Sequence, residues 1–250
     1  VSGAVTTTWL SDVRAVRVRW AWHKRIPLGA LTILAGQPGL GKSTITAELA
    51  ARLSRGELVG DLAAERTLFA TFEDAAANVV RPRVELAGGD VAAVGVVRLT
   101  GGDLLTLPLH VNALADEVER TGARLLVIDP LVAAIDDTVD SNRDASVRRV
   151  LAPLAAMSER LEIATVCVMH FNKSQAELLL RVGGSIGFMG QARSALVVMA
   201  DPEAADADDS RRLLAHIKSN YAAKQPTLAC ELRNEMSSTR TASRARWRAW

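Results

Sequence analysis

Nine consecutive residues, Gly36, Gln37, Pro38, Gly39, Leu40, Gly41, Lys42, Ser43 and Thr44, have the types and spacing of a phosphate cradle. The glycines let the backbone curl until several N–H groups converge on one phosphate, an arrangement that a Cβ would obstruct. Lys42 is placed to reach the β- and γ-phosphates of ATP, and Ser43 to give an oxygen to Mg2+. Three more polar residues close apolar runs downstream. Glu73 follows the run 67–72, Asp129 follows 125–128, and His170 follows 164–169. Asp129 has the setting of a metal-side carboxylate, holding Mg2+ through water or through Ser43. Pro130 comes next, so the acid that often stands there to orient an attacking water is absent. A Mg–nucleotide site without such a base turns over slowly. The search for a base therefore moves to Glu73, with Asp74 as a second choice or a helix-capping residue.

Such a cradle needs a strand before it and a helix after it. The run 31–35 supplies the first, and the helical spacing of 45–53 supplies the second. Strand and helix patterns alternate over 31–170, which implies a parallel sheet with helices on both faces. Sites in such sheets gather at the carboxyl ends of the strands. The cradle, Glu73, Asp129 and His170 all fall at such ends. Further helices are expected over 78–86, bent or interrupted at Pro82, over 110–121, over 143–160 and near 190–193. Strands are expected at 94–99, 195–199, 212–218 and 226–232. The last three are joined by short turns and should run antiparallel at one edge. The chain divides into a lead-in segment, 1–30, a domain over 31–232, and a tail, 233–250. That tail is rich in Arg, Ser and Thr without an apolar period and is expected to be disordered. Trp20 and Trp22 read as packing residues, and His23, beside Lys24 and Arg25, as a solvated surface group.

Composition sets limits. The chain of 250 residues is 49% apolar and 23% charged, the balance of a globular protein. Its net charge of +2 is too small to argue for nucleic acid from the total. The two cysteines, Cys167 and Cys230, have no metal-ligand spacing. A reduced cytoplasmic protein is expected, with both thiols buried. No apolar run is long enough to span a membrane, and the beginning lacks a signal-peptide pattern.

The ordered set of motifs resembles the RecA-fold ATPases, in particular the hexameric replicative helicase branch related to plasmid RepA. Its pieces are Trp22 with 26–29 before the cradle, Thr71-Phe-Glu73-Asp74 with Arg81-Pro-Arg83, and Val127-Ile-Asp129-Pro130-Leu131. Asp140-Ser-Asn142, His170-Phe-Asn172-Lys173, Gly183-Gly-Ser185 with Arg193, and Lys218-Ser-Asn220 complete it, over roughly residues 9–230. The resemblance implies a RecA-like α/β domain with a mainly parallel twisted sheet and antiparallel C-terminal edge strands. It implies Glu73 as catalytic base and His170 as the residue that senses the γ-phosphate. It also implies Arg193 and Lys218 as cations offered across a subunit boundary to a neighbour's nucleotide. A guanidinium in that role accelerates phosphoryl transfer by ~10³–10⁵. A ring, a hexamer in this family, is the implied assembly. The chain departs from the pattern after the Lys218 strand, where the arginine-rich tail replaces further strand sequence.

Single-stranded DNA is the implied partner. The segments that would meet it are 131–143 and 171–190, the second carrying Asn172, Lys173 and Arg181, with Phe171 and Phe188 as its aromatics. Tail residues Arg240, Arg244, Arg246 and Arg248, with Trp247 and Trp250, offer additional phosphate contacts. Three functions fit these residues. The first is a DNA-translocating ring ATPase, a helicase motor. The second is a RecA-like recombination factor that assembles on single strands without unwinding. The third is a nucleotide-gated assembly module with negligible turnover.

Overall fold

The computed structural model describes residues 5–102, 104–136, 139, 143–170, 186–204, 210–237 and 240–249. Asp140, Ser141, Asn142, the segment 171–185 with Asn172, Lys173 and Arg181, and Trp250 lie outside the described residues.

In chain order the elements are β1 (Trp20–Trp22), β2 (Ile26–Pro27), β3 (Ala30–Gly36), α1 (Lys42–Ser54), β4 (Thr67–Thr71), α2 (Arg81–Leu86), β5 (Val94–Val96), α3 (Val111–Thr121) and β6 (Leu125–Asp129). Then come α4 (Asp144–Arg160), β7 (Ala164–His170), α5 (Ile186–Gln191), β8 (Ser194–Ala200), β9 (Arg211–Ser219), β10 (Leu228–Ser237) and β11 (Arg240–Ala249). Nine strands form one sheet in the order β11-β10-β9-β8-β3-β7-β6-β4-β5, and β1 and β2 pair separately. From β8 to β5 every neighbour is parallel, and β9, β10 and β11 alternate antiparallel. The sheet is therefore mainly parallel with antiparallel edge strands, a RecA-like P-loop α/β fold. The three closing strands joined by short turns run antiparallel to one another as expected, and β8 joins them to the parallel part through β3.

Alternation along each strand feeds two cores. Leu31, Ile33 and Ala35 of β3 join Leu68, Ala70, Leu126, Ile128 and Cys167 in packing against α3, α4 and α5. Leu34, Phe69, Val127, Val166, Val168 and Leu196 face the other way, against α1 and Val84 of α2. α1 is buried on nearly every side, which suits a helix lying over the sheet and crossed in turn by β11. Both cysteines are buried, and loss of water pushes each thiol up to about 12. No helix among the described residues is long and apolar enough to cross a membrane.

The 78–86 helix is interrupted at Pro82, as expected: a single wide i→i+5 turn, Ala76–Val80, gives way there to α2, which holds Pro82 in its first turn. A proline is tolerated where the helix has no N–H bond to lose. His23 is exposed, as expected, while its neighbour Arg25 is buried: its guanidinium lies 5.2 Å from the centre of the Trp22 ring, and its Nη2 donates to the Pro226 carbonyl at 2.6 Å. The stretch expected to be disordered continues β10 and forms β11, paired residue for residue from Leu228↔Ala249 to Ser237↔Arg240. Its alternation of arginine with Ser, Ala and Trp is a period of two, and one face finds apolar cover over α1 and α2, where Ala245 is buried.

Candidate nucleotide site

Four neighbouring parallel strands, β3, β7, β6 and β4, end at one edge and deliver the polar residues there. Gly36 of β3 stands level with His170 of β7, and Asp129 of β6 stands level with Thr71 of β4. Neighbouring strands lie ~4.8 Å apart, so the row spans roughly 14 Å.

The cradle itself starts where β3 ends. Gly36 presses on β8, and a Cβ there would sit 2.7 Å from the Val198 carbonyl oxygen. Gly41, at φ +79°, turns the chain into α1, and its Cα is covered by the Leu232 side chain of β10. The first amides of α1 have no partner within the helix, so they point into the loop as anion donors. Lys42 is buried. Its Nζ donates to the carbonyls of Gly36 at 3.1 Å and Gln37 at 2.8 Å, and lies 3.1 Å from His170 Nδ1. Burial brings its pKa down to about 8, against the pull of Asp129 and Glu73. His170 is held below its ordinary value by burial and by Lys42, with Glu73 opposing. A neutral imidazole with its proton on Nε2 accepts a hydrogen bond from Lys42 at Nδ1 and keeps a donor at Nε2.

Asp129 accepts a hydrogen bond from Ser43, and burial raises its carboxyl from the ordinary 3.8 to about 6 despite that bond, with Asp74 and Glu73 adding like charge. A cleft of about 10 Å³, room for one water, is lined by Ser43, Thr71, Asp74, Arg83 and Asp129. A half-buried carboxylate beside a hydroxyl, with two further acids near, fits a hard divalent cation that keeps most of its water and takes few protein ligands. Among the described residues no cluster of three His, Cys, Asp or Glu side chains competes as a metal cage.

Glu73 stands exposed just beyond β4, close enough to feel in the titration of Lys42, Asp129 and His170. The turn beneath it is braced. Thr71 Oγ1 donates to the Asp74 carbonyl at 2.9 Å and accepts from the Asp74 amide at 3.1 Å. Asp74 Oδ2 accepts from Arg83 Nη1 at 2.6 Å, and the Phe72 amide donates to the Asp129 carbonyl at 3.1 Å. Asp74 is thus engaged with Arg83 and caps no helix through its side chain. Sequence reasoning placed Arg83 in a motif and gave it no task; the brace links residues nine apart across a wide helical turn, a spacing no regular period reveals.

Arg193 and Lys218 are not brought to this row. The Arg193 amide donates to the Leu31 carbonyl, at the start of β3, five residues or ~17 Å from Gly36. Lys218 pairs level with Ala195, and its Nζ donates to the Met189 carbonyl. Both cations stand together at the opposite end of the sheet. Beside them lies a buried polar knot that sequence reasoning missed. Ser194 Oγ donates to the Arg25 carbonyl and lies 3.1 Å from His216 Nε2, while the Gln225 amide donates to His216 Nδ1. His216 is a neutral structural group, held down to about 4 chiefly by burial.

Comparison with known proteins agrees with this frame. Residues 3–176 match the family model described as an AAA domain. The DNA repair protein RadA of Mycobacterium tuberculosis, in strains CDC 1551 and H37Rv, is 27% identical over 150 residues, or 59% of this chain. The match spans 28% of the length of that relative, so the chain corresponds to little more than a quarter of it. Among solved structures, an isolated ATPase domain superposes with a TM-score of 0.60 at 13% identity, covering 83% of this chain and 81% of that one. A DnaB-like replicative helicase, in a structure concerned with its interactions with primase, gives 0.61 at 12% identity over 83% and 57%. At such identities the likeness establishes the fold.

Proposed function

The chain belongs to the AAA domain family, and from that premise we propose that it is a cytoplasmic Mg2+-dependent ATPase that assembles on single-stranded DNA as a RecA-like recombination factor, without unwinding duplex. One observation carries the reading: the cradle, Asp129, Glu73 and His170 meet at four adjacent strand ends. The amides of 39–44 bind the phosphates, and Lys42 turns from its own loop carbonyls toward the β- and γ-oxygens. Ser43 and Asp129 would hold Mg2+, which neutralises charge on the same oxygens. Glu73, on its braced turn, orients the attacking water and takes up its proton. His170 touches Lys42 and so registers whether a γ-phosphate is present. Arg193, ~17 Å from its own cradle, and Lys218 near it suit a role in the site of a neighbouring copy, in a head-to-tail assembly.

RadA is a DNA repair protein by name, which supports strand handling over unwinding as the first reading. A ring helicase of the RepA-like, hexameric kind is the second, and the fold likeness to the solved ATPase domain and to the DnaB-like enzyme favours it. ATP hydrolysis measured with and without a single-stranded oligonucleotide, beside a strand-displacement assay, separates the two. Stimulation without displacement is expected; stimulation with displacement moves the assignment to the helicase, and no stimulation by any DNA refutes both. In the same assay Glu73→Gln should lower kcat by at least ~10²-fold and leave nucleotide affinity within a few-fold. Intact turnover in that variant removes Glu73 as the base.

A further inference from the structure

The β10–β11 hairpin has an alternation that nucleotide chemistry does not use. Residues directly opposite in an antiparallel pair share a face. Leu228↔Ala249, Cys230↔Trp247, Leu232↔Ala245, Asn234↔Ser243 and Met236↔Thr241 form one face. Cys230 and Ala245 are buried in the core on the α1 side, so that face is the covered one. Ala229↔Arg248, Glu231↔Arg246, Arg233↔Arg244, Glu235↔Ala242 and Ser237↔Arg240 form the other. It carries five arginines and two glutamates. On that side of the sheet the described core, built with α3, α4 and α5, reaches across β8 and ends at Ile217 of β9.

We propose that this arginine face is a sequence-independent contact for the phosphates of single-stranded nucleic acid, separate from the loops that follow β6 and β7. It shares with the function proposed above only the premise that the chain meets nucleic acid. Arg244, Arg246 and Arg248 occupy successive same-face positions, ~6.8 Å apart and ~14 Å in all. A repeating polyanion meets such a row at every step, and guanidinium groups bind phosphate oxygens in bidentate fashion. The uncharged positions between them are Ala229, Ala242 and Ser237. These offer nothing apolar to sink into a bilayer, which sets the face apart from a lipid-binding surface.

The test is fluorescence anisotropy of a labelled single-stranded 30-mer against the full chain, over a salt series. The comparison is with the triple variant R244Q/R246Q/R248Q and with R244K/R246K/R248K. Each lost phosphate contact reduces the slope of log K against log salt by ~0.7, so three should reduce it by about 2. Between 50 and 200 mM salt the glutamine variant should then lose about 20-fold less affinity than the parent. The lysine variant should keep the parent slope. Circular dichroism and DNA-free ATPase activity, both expected at parent level, exclude misfolding, and the lysine variant covers a glutamine variant that fails to fold. An unchanged slope in the glutamine variant overturns the face while leaving the ATPase reading intact. A reduced slope in a protein whose ATPase ignores DNA supports the face and refutes that reading instead. Lost binding to phosphatidylserine vesicles with unchanged DNA binding overturns the inference in favour of a membrane surface.

Discussion

Replacing Asp129 by Asn should make the protein more stable and its nucleotide site useless. Burial, and then the like charge of Asp74 and Glu73, lift this carboxyl from 3.8 to about 6 although Ser43 donates to it. Between those two values the folded state keeps a proton that the unfolded chain has released. Stability therefore falls as pH rises through that window, and the loss is complete above it. A shift of about two units corresponds to roughly 3 kcal/mol of destabilisation at pH 7–8 in the absence of metal. Asparagine removes the charge and still accepts from Ser43. In a domain of this size ~3 kcal/mol is worth about 6–12 °C in Tm. The assay is thermal unfolding of parent and Asp129→Asn from pH 4 to pH 8, with and without Mg–nucleotide. The variant should melt higher at pH 8, converge with the parent near pH 4, and lose the Mg2+-dependent stabilisation that the parent shows. An asparagine variant no more stable than the parent at pH 8, or one that keeps its Mg2+ response, refutes the electrostatic account of Asp129.

Other consequences are equally direct. Arg83→Ala should release Asp74 and loosen the turn under Glu73, lowering kcat about tenfold with little change in nucleotide affinity, while Arg83→Lys restores part of it; a loss confined to KM would show that the brace serves binding. Gly36→Ala forces a methyl group against the Val198 carbonyl and should cost about 1–3 kcal/mol in urea unfolding; an unchanged midpoint would mean that β8 yields at that point. His216 is held down to about 4 from 6.5, mainly by burial. The unfolded chain takes up its proton first, so stability should fall as pH drops from 6.5 towards 4, and His216→Gln should flatten that part of the pH profile.

The row of polar strand ends was readable because each of its members closes an apolar run, a local signal that survives without any knowledge of pairing. Strand order was not readable, and so the Lys42–His170 contact stayed hidden, since it joins elements that meet only through the sheet; the Asp74–Arg83 brace stayed hidden because it spans a wide helical turn with no regular period. The burial of Arg25 was not legible because its neighbours His23 and Lys24 are exposed, while the β1–β2 pairing turns Arg25 inward against Trp22. The tail was misjudged by composition. Arginine, serine and threonine suggest a solvated chain, yet arginine at 244, 246 and 248 is a strand period, and β10 was there to receive it.

The register of β3, β7, β6 and β4 has a consequence for variation in this chain. Each polar residue stands where it does because a hydrogen-bond ladder fixes how far its strand extends. A slip of one residue in any ladder would move that residue by ~3.3 Å and turn it to the other face. Catalytic geometry tolerates about 0.5 Å. The apolar residues of these strands, Ile33, Val127, Ile128 and Val168 among them, therefore act as alignment marks for the site as well as filling for the core. A substitution deep in the sheet that keeps its volume and loses its register would leave a folded protein with its reactive groups out of step.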